Sequence, residues 1–166
     1  MIAFEKMTDG RIRACARLYV QAYAQEPWKE SWAVPEVEVY LRRLMEKPSF
    51  PCYVLLEEEA PVALAVCILI PYIQGGDTLR IEDFCVAPHC QRRGLGSTFL
   101  EFLRGEARRL GADCLMLGTQ RDYPSHRFYQ KNGFTEVESA VLLYRGVDGR
   151  KEAPDSGEIS GAANHL

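Results

Sequence analysis

The segment 91–97 has the residue types of an anion-binding loop. It follows a run that predicts a buried strand, opens an apolar-periodic helix, and places Gly94 and Gly96 at that junction. Free N–H groups at a helix N-terminus bind phosphate, and glycines let phosphate oxygens approach the backbone. Arg92 and Arg93 add positive charge nearby. The predicted phosphate-binding residues are Gln91, Arg92, Arg93, Gly94, Leu95, Gly96 and Ser97.

Two common nucleotide-binding motifs do not account for this loop. Phe99 occupies the place of the third glycine of a Rossmann fingerprint, and no Gly-Lys-Ser/Thr sequence follows, as a P-loop requires. The loop therefore predicts another nucleotide-like ligand. An ordinary helix-capping loop is the alternative interpretation.

A second segment, 125–134, strengthens the first interpretation. It predicts a short helix that carries Phe128 and Tyr129 and runs into Gly133 and Phe134. In this order, the segment and the Gln-x-x-Gly-x-Gly loop between strand and helix resemble the GNAT superfamily of N-acetyltransferases. The resemblance implies that the loop holds the diphosphate of acetyl-CoA.

The resemblance covers roughly residues 79–144, while residues 1–70 agree only in the order of their elements. It implies transfer of an acetyl group from acetyl-CoA to a primary amine, by direct attack of the amine on the thioester. The net charge of −3 favours a cationic small molecule as the acceptor. A protein or peptide acceptor is one alternative, and a non-catalytic, regulatory acyl-CoA-binding module is another.

The same resemblance implies further contacts with the cofactor. Backbone N–H groups near Cys85 and Val86 would hold its pantetheine arm and polarise the thioester carbonyl. Asp122 and Ser125 stand at the start of the short helix, where relatives often have Asn and Ala. We expect both residues to lie at the cofactor site.

Tyr129 is the expected catalytic acid. In the resemblance, the tyrosine at this position donates a proton to the departing sulfur. A phenol with a pKa of about 10 can protonate a thiolate whose conjugate thiol has a pKa of about 8.5. The alternative is a tyrosine that only packs beside Phe128, with its hydroxyl satisfied elsewhere.

The catalytic base is expected at Glu82 or Asp83, because an amine that is protonated at neutral pH must lose a proton before attack. The two residues are adjacent on a predicted strand, so alternation places them on opposite faces. Many relatives have Glu at the position of Glu82, which favours that residue. A surface carboxylate, a partner for Arg80, and a water acting as the base remain alternatives.

The segment 26–32 is the candidate acceptor-binding loop. It contains Trp28 and Trp32, which could form an aromatic wall for an amine, and Glu26 or Glu30, which could match its positive charge. The alternative is that the indoles close the core beneath the loop.

The predicted strands and helices indicate one α/β (α+β) domain, residues 1–146, with the organisation of a GNAT domain. A mixed, mostly antiparallel central sheet is expected, flanked by helices. Predicted strands cover 2–4, 53–56, 62–70, 79–86, 114–117, 134–137 and 141–144, and predicted helices begin near Thr8, Pro35, Leu95 and Ser125. The polar segment 147–166 predicts a disordered tail.

Composition excludes several other classes of protein. A chain of 166 residues with 47% hydrophobic content fits one domain, and its slight negative charge does not favour nucleic acid as a partner. It has neither a signal-peptide pattern nor an apolar run of the ~18 residues needed to span a bilayer. We therefore expect a cytoplasmic protein that binds no membrane, and a homodimer is compatible with this.

The six cysteines predict neither a metal site nor disulfides. They contain no C-x-x-C pair, and several lie within apolar runs. Reduced and mostly buried thiols are therefore expected.

Overall fold

The computed structural model describes residues 1–143 and residue 145. The strands are β1 (Ile2–Lys6), β2 (Cys52–Glu57), β3 (Ala60–Ile70), β4 (Asp77–Val86) and β5 (Ala112–Leu117). The α-helices are α1 (Ile12–Tyr23), α2 (Val34–Met45), α3 (Leu95–Arg109) and α4 (Pro124–Lys131). Short 3₁₀ turns at Asp9–Arg11 and Pro88–Cys90 precede α1 and α3.

The five strands form one sheet in the order β1-β2-β3-β4-β5. The first four strands pair antiparallel, and β4 pairs with β5 in parallel. A parallel pair needs a long crossover, which α3 provides between β4 and β5. The mixed, mostly antiparallel sheet flanked by helices is therefore confirmed.

The central strands are buried on both faces. Helix α1 packs against β3 and β4 and so does α3, and the side chains of residues 62–67 in β3 are at most 5% exposed. This explains why β3 is a continuous apolar run rather than an alternating one. The turn that joins β2 to β3 has Glu58 and Glu59 at φ 49° and 67°, a left-handed conformation typical of a tight hairpin.

The helices follow their apolar spacing. In α1 the buried positions include Ile12, Cys15 and Tyr19, which are three and four residues apart, and the helix begins after a 3₁₀ turn rather than directly at Thr8 as predicted. Pro35 lies in the first turn of α2, where its missing N–H costs nothing. Leu41 of α2 is fully buried, so its truncation to Ala would cost about 2–5 kcal/mol of stability.

The two predicted strands that follow α4 are wrong within the described residues. Residues 134–143 contain no strand, and Val137, Val141, Leu142 and Leu143 are 66–87% exposed. Apolar residues favour a strand only when a neighbouring edge pairs with them and another layer covers them, and neither occurs here. Tyr144 and the predicted tail, 147–166, lie outside the described residues.

Candidate active site

The sheet opens where β4 and β5 part. Their parallel pairing ends at Ile81 and Leu117, while β4 continues to Val86. Among residues 1–143 and 145, the last five residues of β4 therefore have β3 on one side and no strand on the other. Backbone groups on this open side are available to a ligand.

The backbone of Val86 faces that open side. Ala87 N donates to Val62 O of β3 at 2.8 Å, so in an antiparallel pair the preceding residue points both its N–H and its C=O away from β3. Gln91 Nε2 donates to Val86 O at 3.2 Å, which agrees with that direction. The same alternation points the N–H of Cys85 toward β3, so the geometry favours Val86 over Cys85 as a ligand contact.

Strand β4 carries a bulge at Glu82. Val66 of β3 pairs with Asp83, while the next residue, Cys67, pairs with Ile81, so Glu82 is an extra residue on β4. The alternation that predicted opposite faces for Glu82 and Asp83 is therefore broken at this position. Bulges of this kind redirect side chains beside active sites.

The loop from β4 to α3 forms a helix N-terminus as predicted. Gly94 is the N-cap of α3 with φ 81°, and Arg92 has φ 58°, so the chain turns twice through left-handed conformations. Thr98 N donates to Gly94 O at 3.0 Å as the first helical hydrogen bond. The N–H groups of 95–97 precede it and have no acceptor within the helix. This is the geometry of an anion site.

The two arginines of the loop differ in their partners. Arg93 forms a two-pronged ion pair with Glu57 of β2, at 2.7 and 3.1 Å, and this pairing holds the pKa of Glu57 below its usual value. Arg92 is exposed and has no ion-pair partner within residues 1–143 and 145. The arrangement therefore leaves Arg92 for an anion and uses the Arg93 side chain to fix the loop to β2.

Tyr129 is buried behind β4. Its side chain is 2% exposed, and its ring packs edge-on against Phe84, Phe128 and Phe134 with centroids 5.2–6.3 Å apart. Its hydroxyl has no hydrogen-bond partner among the described residues. Burial raises the pKa of Tyr129 well above its usual value, so the hydroxyl keeps its proton at neutral pH. Such a group can donate a proton to a ligand atom.

The start of α4 is less favourable for cofactor contacts than the sequence predicts. Ser125 is fully buried, and its hydroxyl lies 2.8 Å from that of Thr119, in a hydrogen bond that either atom can donate. Asp122 is exposed in the turn before the helix. The Ser125 hydroxyl thus already has a hydrogen-bond partner within the protein, while the Asp122 side chain is accessible to a ligand.

The two candidate bases have different surroundings. Arg80 Nε lies 2.6 Å from Glu82 Oε1, and the Glu82 side chain is 17% exposed. Burial raises the pKa of Glu82, Arg80 lowers it, and the neighbouring Asp83 raises it further, for a net increase. Asp83 is only 3% exposed.

Asp83 accepts hydrogen bonds from three tyrosines that sequence reasoning did not assign to the site. Tyr19 and Tyr23 of α1 donate to its Oδ1 at 3.3 and 2.6 Å, and Tyr40 of α2 donates to its Oδ2 at 2.5 Å. The available signal was a pair of tyrosines four residues apart on the buried face of α1. Buried hydroxyls need partners, and a carboxylate on a buried strand is one.

The predicted acceptor residues, in the loop between α1 and α2, differ in exposure and in their partners. Trp32 is 45% exposed and donates its indole N–H to Glu30 at 2.6 Å. Trp28 is half-buried, with its ring edge-on to Tyr123 at 5.7 Å. Glu26 pairs with Lys29 at the surface, at 2.6 Å, so its charge is already matched. Trp32 is therefore the exposed aromatic residue, with the half-buried carboxylate of Glu30 beside it, while Trp28 packs against the turn that precedes α4.

The described residues contain neither a cluster of metal-ligating side chains nor a membrane-spanning helix. In residues 1–143 and 145, no group of three or more His, Cys, Asp or Glu side chains could hold a metal ion. Within the same residues, no helix has the length and apolar character to cross a membrane.

A family model described as Acetyltransferase (GNAT) family matches residues 13–134. This range contains the open end of β4, the loop at the start of α3, and α4. No curated protein matches the chain.

Solved structures share the fold at low sequence identity. A possible acetyltransferase from Clostridium difficile 630 has a TM-score of 0.77 at 12% identity, covering 89% of this chain and 99% of that one. The aminoglycoside N-acetyltransferase AAC(6')-Iy in complex with CoA has a TM-score of 0.71 at 14% identity, covering 88% and 95%. A transcriptional regulator from Bacillus halodurans C-125 has a TM-score of 0.73 at 18% identity, covering 87% and 100%. One fold thus carries several described roles, and the site must decide among them.

Proposed function

Because the chain belongs to the GNAT acetyltransferase family, whose co-substrate is acetyl-CoA, we propose that it transfers an acetyl group to a primary amine of a small molecule. One observation carries the proposal: the hydroxyl of Tyr129 is buried beside β4 and has no hydrogen-bond partner among the residues that the structure describes. A buried polar group left without a partner costs about 1–3 kcal/mol. A catalytic role gives a reason to maintain it.

The residues of the open end of β4 fit acetyl-CoA. The amides of 95–97 and the Arg92 side chain suit its diphosphate, and the N–H of Val86 points to the open side, where an extended arm can pair with it. When bound, acetyl-CoA supplies an acetyl group activated as a thioester. The remaining chemistry belongs to side chains of this protein.

We assign the base to Glu82. Both carboxylate oxygens of Asp83 already accept tyrosine hydrogen bonds, and Asp83 is sealed from solvent, so it is poorly placed to accept a proton from an amine. Glu82 is partly exposed, and its raised pKa makes it a stronger base than an ordinary glutamate. It would hold the amine proton at a carboxylate oxygen.

We assign the acid to Tyr129. Phe84 lies two residues after the β4 bulge, within the open end of the strand, and the Tyr129 ring packs against it. The phenol therefore holds its proton at Oη beside the same short stretch of β4 that carries Glu82. Acid and base on neighbouring elements suit a reaction in which one nitrogen loses a proton and one leaving atom gains it.

A cationic amine is the proposed acceptor. Trp32 is exposed beside the half-buried carboxylate of Glu30, and Glu82, which pairs with Arg80, adds a second carboxylate. The similarity in fold to aminoglycoside N-acetyltransferases agrees with a polyamine or aminoglycoside acceptor. A peptide amine is the alternative within the same chemistry.

The test combines turnover with product identification. Purified protein is incubated with acetyl-CoA and a panel of diamines, polyamines, aminoglycosides and peptides, while free thiol release is followed and products are identified by mass spectrometry. We expect thiol release that depends on a cationic amine, with a product heavier by one acetyl group. Binding of CoA without product across the whole panel would instead support a non-catalytic acyl-CoA-binding module.

A further inference from the structure

The carboxylate of Asp83 is the centre of a buried cluster that the proposed chemistry does not use directly. We define the Asp83 cluster as Asp83, Tyr19, Tyr23 and Tyr40. Its three hydrogen bonds join β4 to α1 and to α2, across 64, 60 and 43 residues of sequence. The contacts place the cluster at the bulge, directly after Glu82.

The cluster also extends to the acceptor loop. The rings of Tyr19 and Tyr23 stack with centroids 4.0 Å apart, which restricts both hydroxyls to one direction. Tyr23 O accepts the backbone N–H of Glu30 at 2.9 Å. One residue, Tyr23, therefore connects the loop that carries Glu30 with the carboxylate beside Glu82.

Three tyrosine hydroxyls donate to the Asp83 oxygens, and hydrogen bonds of this kind stabilise the ionised form of the carboxylate. Burial raises the pKa of Asp83, and the hydrogen bonds from Tyr23, Tyr40 and Tyr19 oppose that rise. The same burial, together with the Asp83 charge, raises the pKa of each tyrosine, so the hydroxyls remain donors.

The charged and titratable groups around Asp83 come from every element packed against it. Those interacting with Asp83 or with its neighbour Glu82 are Tyr19 and Tyr23 of α1, Tyr40 of α2, Glu30 of the loop, Cys52 of β2, Cys67 of β3, and Arg80, Glu82 and Cys85 of β4. Arg80 is the one cation among them, and it pairs with Glu82 rather than with Asp83.

We propose that Asp83 is a positioning residue for acetyl transfer, which acts through Glu82 and through the acceptor loop without touching the substrate. The inference rests on the proposed function only in naming Glu82 as the base. A fixed negative charge beside Glu82 favours the protonated form of that carboxyl and so increases its strength as a base. The three tyrosines keep the charge in place, because each hydroxyl bonds the ionised form.

Asp83→Asn tests the proposal with little change of shape. The amide has one accepting oxygen, so it cannot receive all three tyrosine hydrogen bonds, and it carries no charge. The titration of Glu82 is followed by carbon-13 NMR of its labelled carboxyl group, assigned with Glu82→Gln. We expect the midpoint to move to lower pH in Asp83→Asn and to stay in place in Asp9→Asn, which removes an exposed charge at the start of the chain.

Kinetics provide the second readout. In Asp83→Asn we expect kcat to fall about tenfold and the acidic limb of kcat/KM to move to lower pH, while KM for acetyl-CoA does not change. An unmoved Glu82 midpoint in folded Asp83→Asn would overturn the inference, whatever the activity. Absence of acetylated product from the wild-type protein would instead overturn the proposed function, because the NMR readout does not require turnover.

Tyr40→Phe keeps the test valid if Asp83→Asn does not fold. Tyr40 is 37% exposed, so loss of its hydroxyl disturbs the core less than a change at Asp83. Removing one donor favours the protonated form of Asp83 and weakens its charge at neutral pH. We expect a smaller shift of the Glu82 midpoint in the same direction, and no shift would contradict the proposal.

Discussion

The two sides of the site are built in different ways. The proposed cofactor side, residues 86–97 with Tyr129, is mostly one continuous segment whose backbone amides would bind the ligand. The proposed acceptor side, residues 26–32 with the Asp83 cluster, is assembled from α1, α2 and β4 by side chains far apart in sequence. Backbone sites tolerate changes in side chains, whereas assembled sites depend on each member. One cofactor site can therefore serve many acceptors.

Tyr129→Phe should have the largest effect, because this residue belongs to the cofactor side but acts through a side chain. We expect kcat to fall about 100-fold, as for loss of a general acid, with CoA affinity unchanged. Steady-state kinetics and calorimetric titration with CoA measure the two quantities.

Tyr53→Phe is the matched control for this prediction. Tyr53 is also fully buried, but it lies on β2 and packs against Phe102 of α3. If both variants slow turnover equally, the Tyr129 effect is one of packing and the residue is not the acid.

Glu82→Gln should have the next largest effect, a fall of about 30-fold in kcat/KM at neutral pH. The raised pKa of Glu82 places the loss of wild-type activity at a higher pH than an ordinary glutamate would, because a base is inactive once protonated. The pH profile of kcat/KM for the Gln variant should lack this loss of activity at acidic pH. Glu46→Gln, at an exposed site, should behave as wild type. If kcat/KM of Glu82→Gln still falls at acidic pH as in the wild type, the base is another group.

Gly94→Val tests whether the backbone carries the cofactor side. At φ 81° a β-branched residue is strained by about 1–2 kcal/mol, although nothing lies within 4 Å of its Cβ position. We expect CoA affinity to fall about tenfold in calorimetry, since 1.4 kcal/mol corresponds to one decade. Gly105→Ala, in the same helix and equally unobstructed, should bind CoA normally. Equal affinities in both variants would mean that the loop conformation is not required.

Trp32→Ala should have the smallest effect, confined to the acceptor side. A cation–π contact at an exposed site contributes about 0.5–1 kcal/mol, so we expect KM for a cationic amine to rise about two- to fivefold. The KM for acetyl-CoA should not change. If neither KM changes, Trp32 does not contact the acceptor.

The loop conformation of the proposed cofactor side could be predicted from sequence because the signals for it are local. A strand, two glycines and an apolar-periodic helix within about twenty residues specify a helix N-terminus, and Gly94 lies there as expected. The side-chain partner of Arg93 could not be predicted in the same way. Glu57 lies 36 residues earlier and meets Arg93 only because the sheet places the end of β2 beside the loop.

The arrangement of the acceptor side could not be predicted from the sequence and becomes visible only in the tertiary structure. Strand periodicity cannot foresee the bulge at Glu82, because an inserted residue is visible only in the pairing of β4 with β3. Tyr19 and Tyr40 lie on different helices, α1 and α2, and their shared carboxylate becomes visible only when those helices meet over Asp83. The strands predicted after α4 failed because local propensity does not supply a partner edge.

We propose that the open end of β4 and the first turn of α3 together hold the cofactor. Titration of CoA into nitrogen-15-labelled protein, followed through the backbone amide signals, tests this arrangement. We expect saturable shifts at Val86 and at residues 93–97, with smaller changes at the loop 26–32. Saturable shifts elsewhere that leave Val86 and residues 93–97 unmoved would contradict it.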